Sequence, residues 1–306
     1  MHYTLHQLQI FLKVVSTQSV TKASEELFMT QPAVSIQLKK LQEQFEVPLT
    51  EVIGRKIHIT EFGIQLAKMA EKILNEVYAI NYKTLAYKGV LAGKVKIASV
   101  STGKYIMPYF ISRFYKSNPG IDFVIDVTNK AKVIESLENN ETDFALISTI
   151  PKNLKLEEEI LLENKLYLIG NKDANKKNVT TKELNSLPYI FREDGSATRL
   201  AMEGYLDKQN ISVRKKVELT SNEAVKQAVI AGLGYSIMPL IGIRNELKNK
   251  ELYIIKSPNL PMKSNWRLVW LKKKELSHAA AAYLEYIKKE KQTILSTNFK
   301  WVTQFK

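Results

Sequence analysis

The sequence predicts an α/β protein that carries a small all-α domain with a β wing ahead of it. Three observations predict this. Residues 1–60 hold short helical patterns that end in an alternation around a glycine, "EVIGRKIHIT". Residues 60–87 form one long helical stripe. From Gly93 onward strand-like and helical runs alternate, which means a largely parallel sheet with helices on both faces. A chain of 306 residues is long enough for two or three domains with real cores.

Leu5, Leu8, Phe11, Leu12 and Val15 make one face of a first helix. A second helix runs from Val20 to Leu27, with Ser19 as N-cap and Ala23 and Leu27 facing inward. Phe28-Met29 makes a turn. The third helix opens at Thr30, whose hydroxyl suits an N-cap, and Pro32 falls in its first turn, where a missing N–H does no harm. Val34, Leu38 and Leu41 form its core stripe. Gln31, Pro32, Ser35, Ile36 and Lys39 are left pointing away.

Two helices joined by a short turn and followed by a wing have the form of a winged helix-turn-helix. Its second helix enters the DNA major groove with its N-terminal residues leading. On this reading Gln31 and Ser35 meet base edges, while Thr30 and Lys39 hold phosphate. Pro32 and Ile36 complete the face, and Arg55 and Lys56 extend it onto the wing.

The long helix carries Leu66, Ala70, Ile73, Val77, Ile80, Thr84 and Tyr87 at alternating steps of four and three. That is a coiled-coil seam of about three heptads, which pairs either with a second copy of the chain or with its own globular part. Beyond Gly93 the strand-like runs are "KVKIASV", "DFVIDVT", "DFALIS", "LYLIGN", "YIFRED", "VELTS" and "YSIMP". "GLGYS" at 232–236 lacks the full glycine fingerprint of a nucleotide loop and reads as a helix C-cap turn.

Composition narrows the function. There is no cysteine, which excludes disulfides, thiolate metal sites and cysteine nucleophiles and suits a reducing cytoplasm. No run resembles a signal peptide or a membrane span. The four histidines are His2, His6, His58 and His278, a poor distribution for a triad or a multi-histidine metal site. The net charge of +14 is concentrated late in the chain, as in Lys272–Lys274, Lys288, Lys289 and Lys291. Residues 1–60 hold six cations against five glutamates, so charge alone does not make this a DNA-binding protein. No catalytic constellation and no cofactor motif stands out.

In open α/β sheets ligands bind beyond the carboxyl ends of strands, where helix N-termini converge. "KVKIASV" ends in Ser101-Thr102-Gly103-Lys104, and "YIFRED" leads into Gly195-Ser196-Ala197-Thr198-Arg199. Each turn offers backbone N–H groups, hydroxyls and a cation, which together suit an anion. The effector candidates are thus Ser101, Thr102, Lys104, Ser196, Thr198 and Arg199, with Thr128 and Ser148 on the rim. In the alternative, the two serines only cap helices and the two cations pair with local acids.

The ordered series Leu8, Phe11, Val15, Ser19, Thr21, Ala23, Leu27, Gln31-Pro32-Ala33-Val34-Ser35, Leu38, Leu41, Leu49, Arg55, Thr60 and Gly63 resembles the N-terminal signature of LysR-type transcriptional regulators. "LENNETDFALI" and "AVIAGLGYSIMP" resemble that family's effector domain. "STGKYIMPYFISRF" and "REDGSATR" resemble its subgroup that regulates Calvin-cycle (RuBisCO) operons. Ser24 stands where the family has the second alanine of a pair. Thr50 and Val52 stand where the wing entry has Phe and Arg, which removes one expected phosphate contact. Gln42 occupies the usual leucine-glutamate position, with Glu43 keeping the acid nearby.

The resemblance implies a winged helix over 1–60, a dimerising linker helix over 61–90 and an effector domain over 91–306. It implies two Rossmann-like subdomains of periplasmic-binding-protein type, about 91–164 with 267–306 and about 165–266, with crossings near 163–166 and 265–268. It further implies a homotetramer on operator DNA with dyad symmetry, and a phosphorylated or carboxylated effector. Two other classes remain as readings. One is an α/β binding protein or transferase with purely structural N-terminal helices, which leaves the exposed face of residues 28–41 without a use. The other is a coiled-coil scaffold, which leaves the alternation after Gly93 without one.

Overall fold

The computed structural model describes residues 2–54, 56–87, 89–172, 178–213 and 216–305. The chain divides into two compact units, Met1–Val90 and Leu91–Lys306.

In the first unit α1 (Leu5–Thr17), α2 (Val20–Glu26) and α3 (Gln31–Gln42) precede the antiparallel hairpin of β1 (Thr50–Ile53) and β2 (Lys56–Ile59), and α4 (Glu61–Tyr87) follows. Each short helix starts at a hydroxyl. Thr4, Ser19 and Thr30 accept from the backbone N–H groups of Gln7, Lys22 and Ala33. The core gathers Leu8, Ile10, Phe11 and Val14 of α1 with Ala23, Val34, Leu38, Leu41 and Leu49. Leu5, expected inside, is exposed, and Ile10 and Val14 are buried instead. Helix α1 is covered by α2, α3 and α4 together, so its buried face is wider than one stripe and centred elsewhere. Ser24 is buried too, and its hydroxyl donates to the Thr21 carbonyl at 2.7 Å, so the extra oxygen is satisfied within its own helix.

The base of the wing presses on the start of α4. A Cβ on Gly63 would overlap the Leu49 carbonyl oxygen. Thr60 accepts from the Gly63 N–H at 2.9 Å and donates to the Pro48 carbonyl at 2.6 Å, which caps α4. Leu66, Ala67, Ala70 and Leu74 of α4 belong to the same core. The heptad stripe therefore divides. Leu66 and Ala70 serve their own domain, whereas Ile73, Ile80 and Tyr87 are exposed.

The second unit contains β3 (Ala92–Val100), a 3-10 turn (Ser101–Tyr105), α5 (Met107–Ser117), β4 (Gly120–Thr128), α6 (Lys130–Glu138), β5 (Phe144–Ile147) and β6 (Leu156–Asn171). There follow α7 (Thr181–Leu184), β7 (Tyr189–Arg192), α8 (Ala197–Lys208), β8 (Lys216–Leu219), α9 (Asn222–Ile230) and β9 (Ser236–Pro239). The unit closes with α10 (Arg244–Lys248), β10 (Leu252–Ile255), β11 (Met262–Leu271), α11 (His278–Asn298) and a 3-10 turn (Lys300–Gln304). One sheet runs β10-β6-β11-β5-β3-β4 with β9 also on β6, and β7 pairs with β8 separately.

Strand β3 lies parallel to β4 and β5, and β7 lies parallel to β8. Strands β6 and β11 form a long antiparallel ladder from Met262–Leu166 to Leu271–Leu156, broken by a bulge at Trp266/Arg267. One core surrounds β3, β5, α5 and α11, and two others surround the far end of β6 with β7, β9, α8 and α9. The two long strands carry the chain between these cores.

None of the strand-like runs in the sequence covers β10, β11 or residues 156–165 of β6. The acid-rich start of β6 hides its strand character because its charges are paired across the fold. Glu158 meets Arg267 at 2.7 Å, Glu157 meets Lys272 at 3.5 Å, and Glu159 meets Lys291 of α11. After α9, the Leu233 N–H returns to the Ala228 carbonyl at 3.0 Å, so "GLGYS" is a C-cap turn. Among the described residues no helix is long and apolar enough to cross a membrane.

Candidate functional site

In the first unit, Thr30 at the N-cap and Gln31, Pro32 and Ile36 on the first turns of α3 are exposed, Ser35 among them is half-buried, and Lys39 is exposed in the last turn. The Gln31 side-chain amide donates to the Ser35 hydroxyl at 3.2 Å, which orders both polar groups on the outer face. Val34, Leu38 and Leu41 hold the opposite face in the core. A helix fixed this way presents a polar N-terminal edge of the kind that reads base edges and phosphate. Lys56 is exposed on the wing, while Arg55 lies outside the described residues. Beside it Val52 and Ile53 are 75% and 60% exposed, so this part of the wing is apolar.

In the second unit, strand register sets the site. Val100 of β3 pairs with Thr128 of β4, and Ser99 pairs with Leu146 of β5. Ser148, Ser101 and Thr128 therefore follow one another along the carboxyl edge of the three parallel strands β5, β3 and β4. Thr102 is buried just behind Ser101. Asn129 caps α6, accepting from the Lys132 N–H at 3.0 Å. The turn after β7 comes alongside. A Cβ on Gly195, whose φ is +76°, would stand 3.4 Å from Ala131 and 3.7 Å from the Asn129 amide. Ser196, which caps α8, and Thr198 are both buried in that turn.

The group that closes the site is one the sequence reading did not nominate. Arg192, the last residue of β7, is only 4% exposed. Its Nε and Nη2 each donate to Glu193 at 2.7 Å, and Nη2 also donates to the Ser101 hydroxyl at 3.2 Å. The Asn222 amide at the start of α9 donates to the same hydroxyl at 3.2 Å. Arg192 Nη1 and Asn222 Oδ1 are buried with no hydrogen-bond partner. Buried polar groups are rarely left unpaired, and a donor and an acceptor left over on two side chains that meet at one hydroxyl point to a place for a ligand. The N-termini of α6, α8 and α9 add partial positive charge to that edge.

The two cations the sequence put forward are engaged elsewhere. Arg199 donates to Glu203 and to Glu218, both at 2.7 Å, and to the Arg192 carbonyl at 3.2 Å. The hydrogen bond to Glu203 is the largest cause holding its pKa above the ordinary arginine value. Lys104 lies 3.6 Å from Glu223 and over the Tyr105 ring. Both cations thus follow the alternative of pairing with local acids, and Ser196 does cap a helix. Arg192 was missed because it ends a strand that is otherwise apolar. The available signal was its position, an arginine at the carboxyl end of a buried strand.

The profile described as "Bacterial regulatory helix-turn-helix protein, lysR family" matches residues 5–64, and that described as "LysR substrate binding domain" matches residues 88–292. The chain is 35% identical to the HTH-type transcriptional activator CmpR of Synechocystis sp. over 93% of this chain and 94% of that protein. It is 33% identical to the RuBisCO operon transcriptional regulator of Acidithiobacillus ferrooxidans, over 94% of each. Among solved structures, the Synechocystis CcmR regulatory domain in complex with 2-PG matches with a TM-score of 0.62 and 32% identity, over 68% of this chain and 99% of that one.

Proposed function

The chain belongs to the LysR family of bacterial helix-turn-helix proteins, as a DNA-binding transcriptional regulator with an effector-binding domain, and from that premise we propose how it recognises each partner. The effector is a small phosphorylated or carboxylated metabolite held at the carboxyl edge of β3, β4 and β5. Arg192 Nη1 meets its anionic group. The Ser101 hydroxyl, which already accepts from Arg192 and Asn222, gives its hydrogen to the same group. Asn222 Oδ1 accepts from a hydroxyl or a protonated phosphate oxygen of the ligand. Thr102, Thr128, Ser148, Ser196 and Thr198 surround these groups. The ligand is bound and released without turnover.

The observation that carries this reading is the pair of buried, unpartnered atoms, Arg192 Nη1 and Asn222 Oδ1. The complex of the CcmR regulatory domain with 2-PG (2-phosphoglycolate) supports an anion of this size. On the DNA side, Gln31 and Ser35 read bases and Thr30, Lys39, Arg55 and Lys56 hold phosphate. Residues 61–90 pair two copies, two pairs make a tetramer, and the operator has matching dyad symmetry. The direct experiment is calorimetric titration of the full chain with 2-phosphoglycolate, alongside footprinting of the DNA upstream of its own gene. Binding without any change in the footprint excludes this ligand as the effector. Failure of 2-phosphoglycolate, ribulose 1,5-bisphosphate and phosphoenolpyruvate alike to bind removes the anion reading.

A further inference from the structure

A second cavity lies on the far side of the Ser101–Tyr105 turn. It measures about 320 Å³, within the range of small-molecule sites. Its lining includes Lys104, Tyr105, Tyr109, Lys226, Arg244 and Trp301. Aromatic rings form much of one wall, and Tyr109 packs edge-on to Phe299 at 5.2 Å. The Arg244 guanidinium lies 5.0 Å from the Trp301 ring centroid. Arg244 is exposed and has no carboxylate partner among the described residues. Lys104 stands at the mouth with its ammonium 5.1 Å from the Tyr105 ring.

The floor holds a charged cluster that the cleft does not use. Lys226 is buried and paired with Glu223 at 2.8 Å and Glu246 at 2.7 Å, and the Tyr105 hydroxyl donates to Glu223. Glu246 is the one acid among the lining residues, against the cations Lys104, Lys226 and Arg244. Lys104 lies 3.6 Å from Glu223, so Lys104 and Lys226 together balance Glu223 and Glu246, and the charge left for a ligand is on Arg244. Cations set against aromatic faces favour a flat, π-rich, anionic guest, because the same rings that hold the cations can stack on it.

We propose that this cavity is a second ligand site, built for an anion joined to a planar ring. Adenosine monophosphate and benzoate share that chemistry from two different sources. The site is also wired to the first cleft. The Ser101–Tyr105 turn places Ser101 in the cleft and Tyr105 in the cavity, and α9 places Asn222 in the cleft and Lys226 in the cavity. If a ligand at one site shifts either segment and so changes affinity at the other, the second ligand changes the first's affinity by the same factor. Binding at the cavity does not depend on the cleft reading, whereas this linkage does rest on it.

The test is calorimetry on the full chain with adenosine monophosphate, benzoate and ribose 5-phosphate, which lacks the planar ring. The proposal expects at least one of the two ring anions to bind and ribose 5-phosphate to bind at least tenfold more weakly. Arg244→Ala should weaken the ring anion at least tenfold, and Arg192→Ala should weaken it by less than Arg244→Ala does. Arg244 is exposed, so its variant folds, and quenching of Trp301 fluorescence gives a second reading at the site. Binding of adenosine monophosphate alone assigns a nucleotide, and binding of benzoate alone assigns an aromatic acid. The site is overturned if neither binds, if ribose 5-phosphate binds equally, or if Arg192→Ala abolishes binding while Arg244→Ala does not. Saturating 2-phosphoglycolate should shift the ring anion's affinity, and an unchanged affinity removes the linkage. The heat of 2-phosphoglycolate alone reads the cleft separately.

Discussion

Arg192 donates to the Ser101 hydroxyl at 3.2 Å, joining the end of β7 to the end of β3 across 91 residues of sequence. The bond holds one nitrogen of the guanidinium, Glu193 holds two donors, and Nη1 is left over. The cleft therefore has a pre-positioned donor whose charge is balanced from behind. Removing it should act on the effector more than on the fold.

Arg192→Ala is expected to weaken the effector at least tenfold, since a hydrogen bond to an ionised group is worth about 1.5–3 kcal/mol. Arg192→Lys should recover only part of this, because a point charge cannot serve Ser101, Glu193 and ligand as a fork does. Arg199→Ala should behave differently. It removes pairs with two carboxylates that are each well exposed, a loss of about 1 kcal/mol or less in stability, and leaves effector affinity nearly intact. Calorimetry and thermal melting on the three variants check this. An effector loss larger in Arg199→Ala than in Arg192→Ala would place the anion elsewhere.

The contrast between these two arginines shows what the sequence could and could not disclose. The helix through Gln31 was legible because its cap, its proline and its Val34–Leu38–Leu41 stripe are local features with a fixed period. Ser101 and Thr128 were legible as hydroxyls at strand ends. Arg192 was not, because its partners come from the ends of β3 and α9, and no local pattern encodes that meeting. Arg199 looked free for the same reason, since Glu218 is brought to it by the pairing of β7 with β8. Strand β11 escaped because its polar residues answer charges on β6, which the period of two does not reveal.

Gln31→Ala is expected to cost about 1–3 kcal/mol on the operator and little on random DNA, because its contacts carry sequence. Lys39→Ala should weaken both equally and lower the salt slope by about one. Binding titrations on both DNAs at several salt concentrations read the two effects apart. Equal losses for Gln31→Ala on both DNAs would assign it to phosphate.

The wing offers a reverse experiment. Val52 is 75% exposed on the wing, so a cation can be added there without disturbing the core. Val52→Arg should tighten binding to any DNA and steepen its salt dependence by about one counterion. An unchanged salt slope would mean that this side of the wing stands clear of the phosphates.

Acid stability should report the cluster beneath the second cavity. Burial raises the Glu223 pKa, but the hydrogen bonds from Lys226 and Tyr105 and the nearby ammonium groups outweigh it and hold the carboxyl below the ordinary glutamate value of 4.5. A carboxylate with a depressed pKa stabilises the fold above its unfolded value and loses that contribution as pH falls through the folded one. Wild type should therefore melt above Glu223→Gln at neutral pH, with the gap closing below about pH 4.5. A gap that stays constant from neutral to acid pH would show that Glu223 stabilises by packing rather than by charge.

Helix α4 allows the proposed pairing surface to be separated from the domain core. Leu74 is buried inside the first unit, whereas Ile80 on the next turns is 64% exposed and Ile73 is exposed as well. An exposed isoleucine repeating on one helical face is stabilised only if a partner covers it. Ile73→Asp and Ile80→Asp put charge on that stripe, and a charge buried without a partner is costly. Each is expected to dissociate the dimer, with operator affinity falling because both half-sites are no longer held together. The first unit should remain folded in both variants, since neither side chain belongs to its core. Leu74→Asp should instead unfold the first unit itself, which circular dichroism and the loss of all DNA binding would report. Sedimentation velocity decides the matter, because a dimer that survives both isoleucine changes at micromolar concentration would move the pairing surface off this stripe.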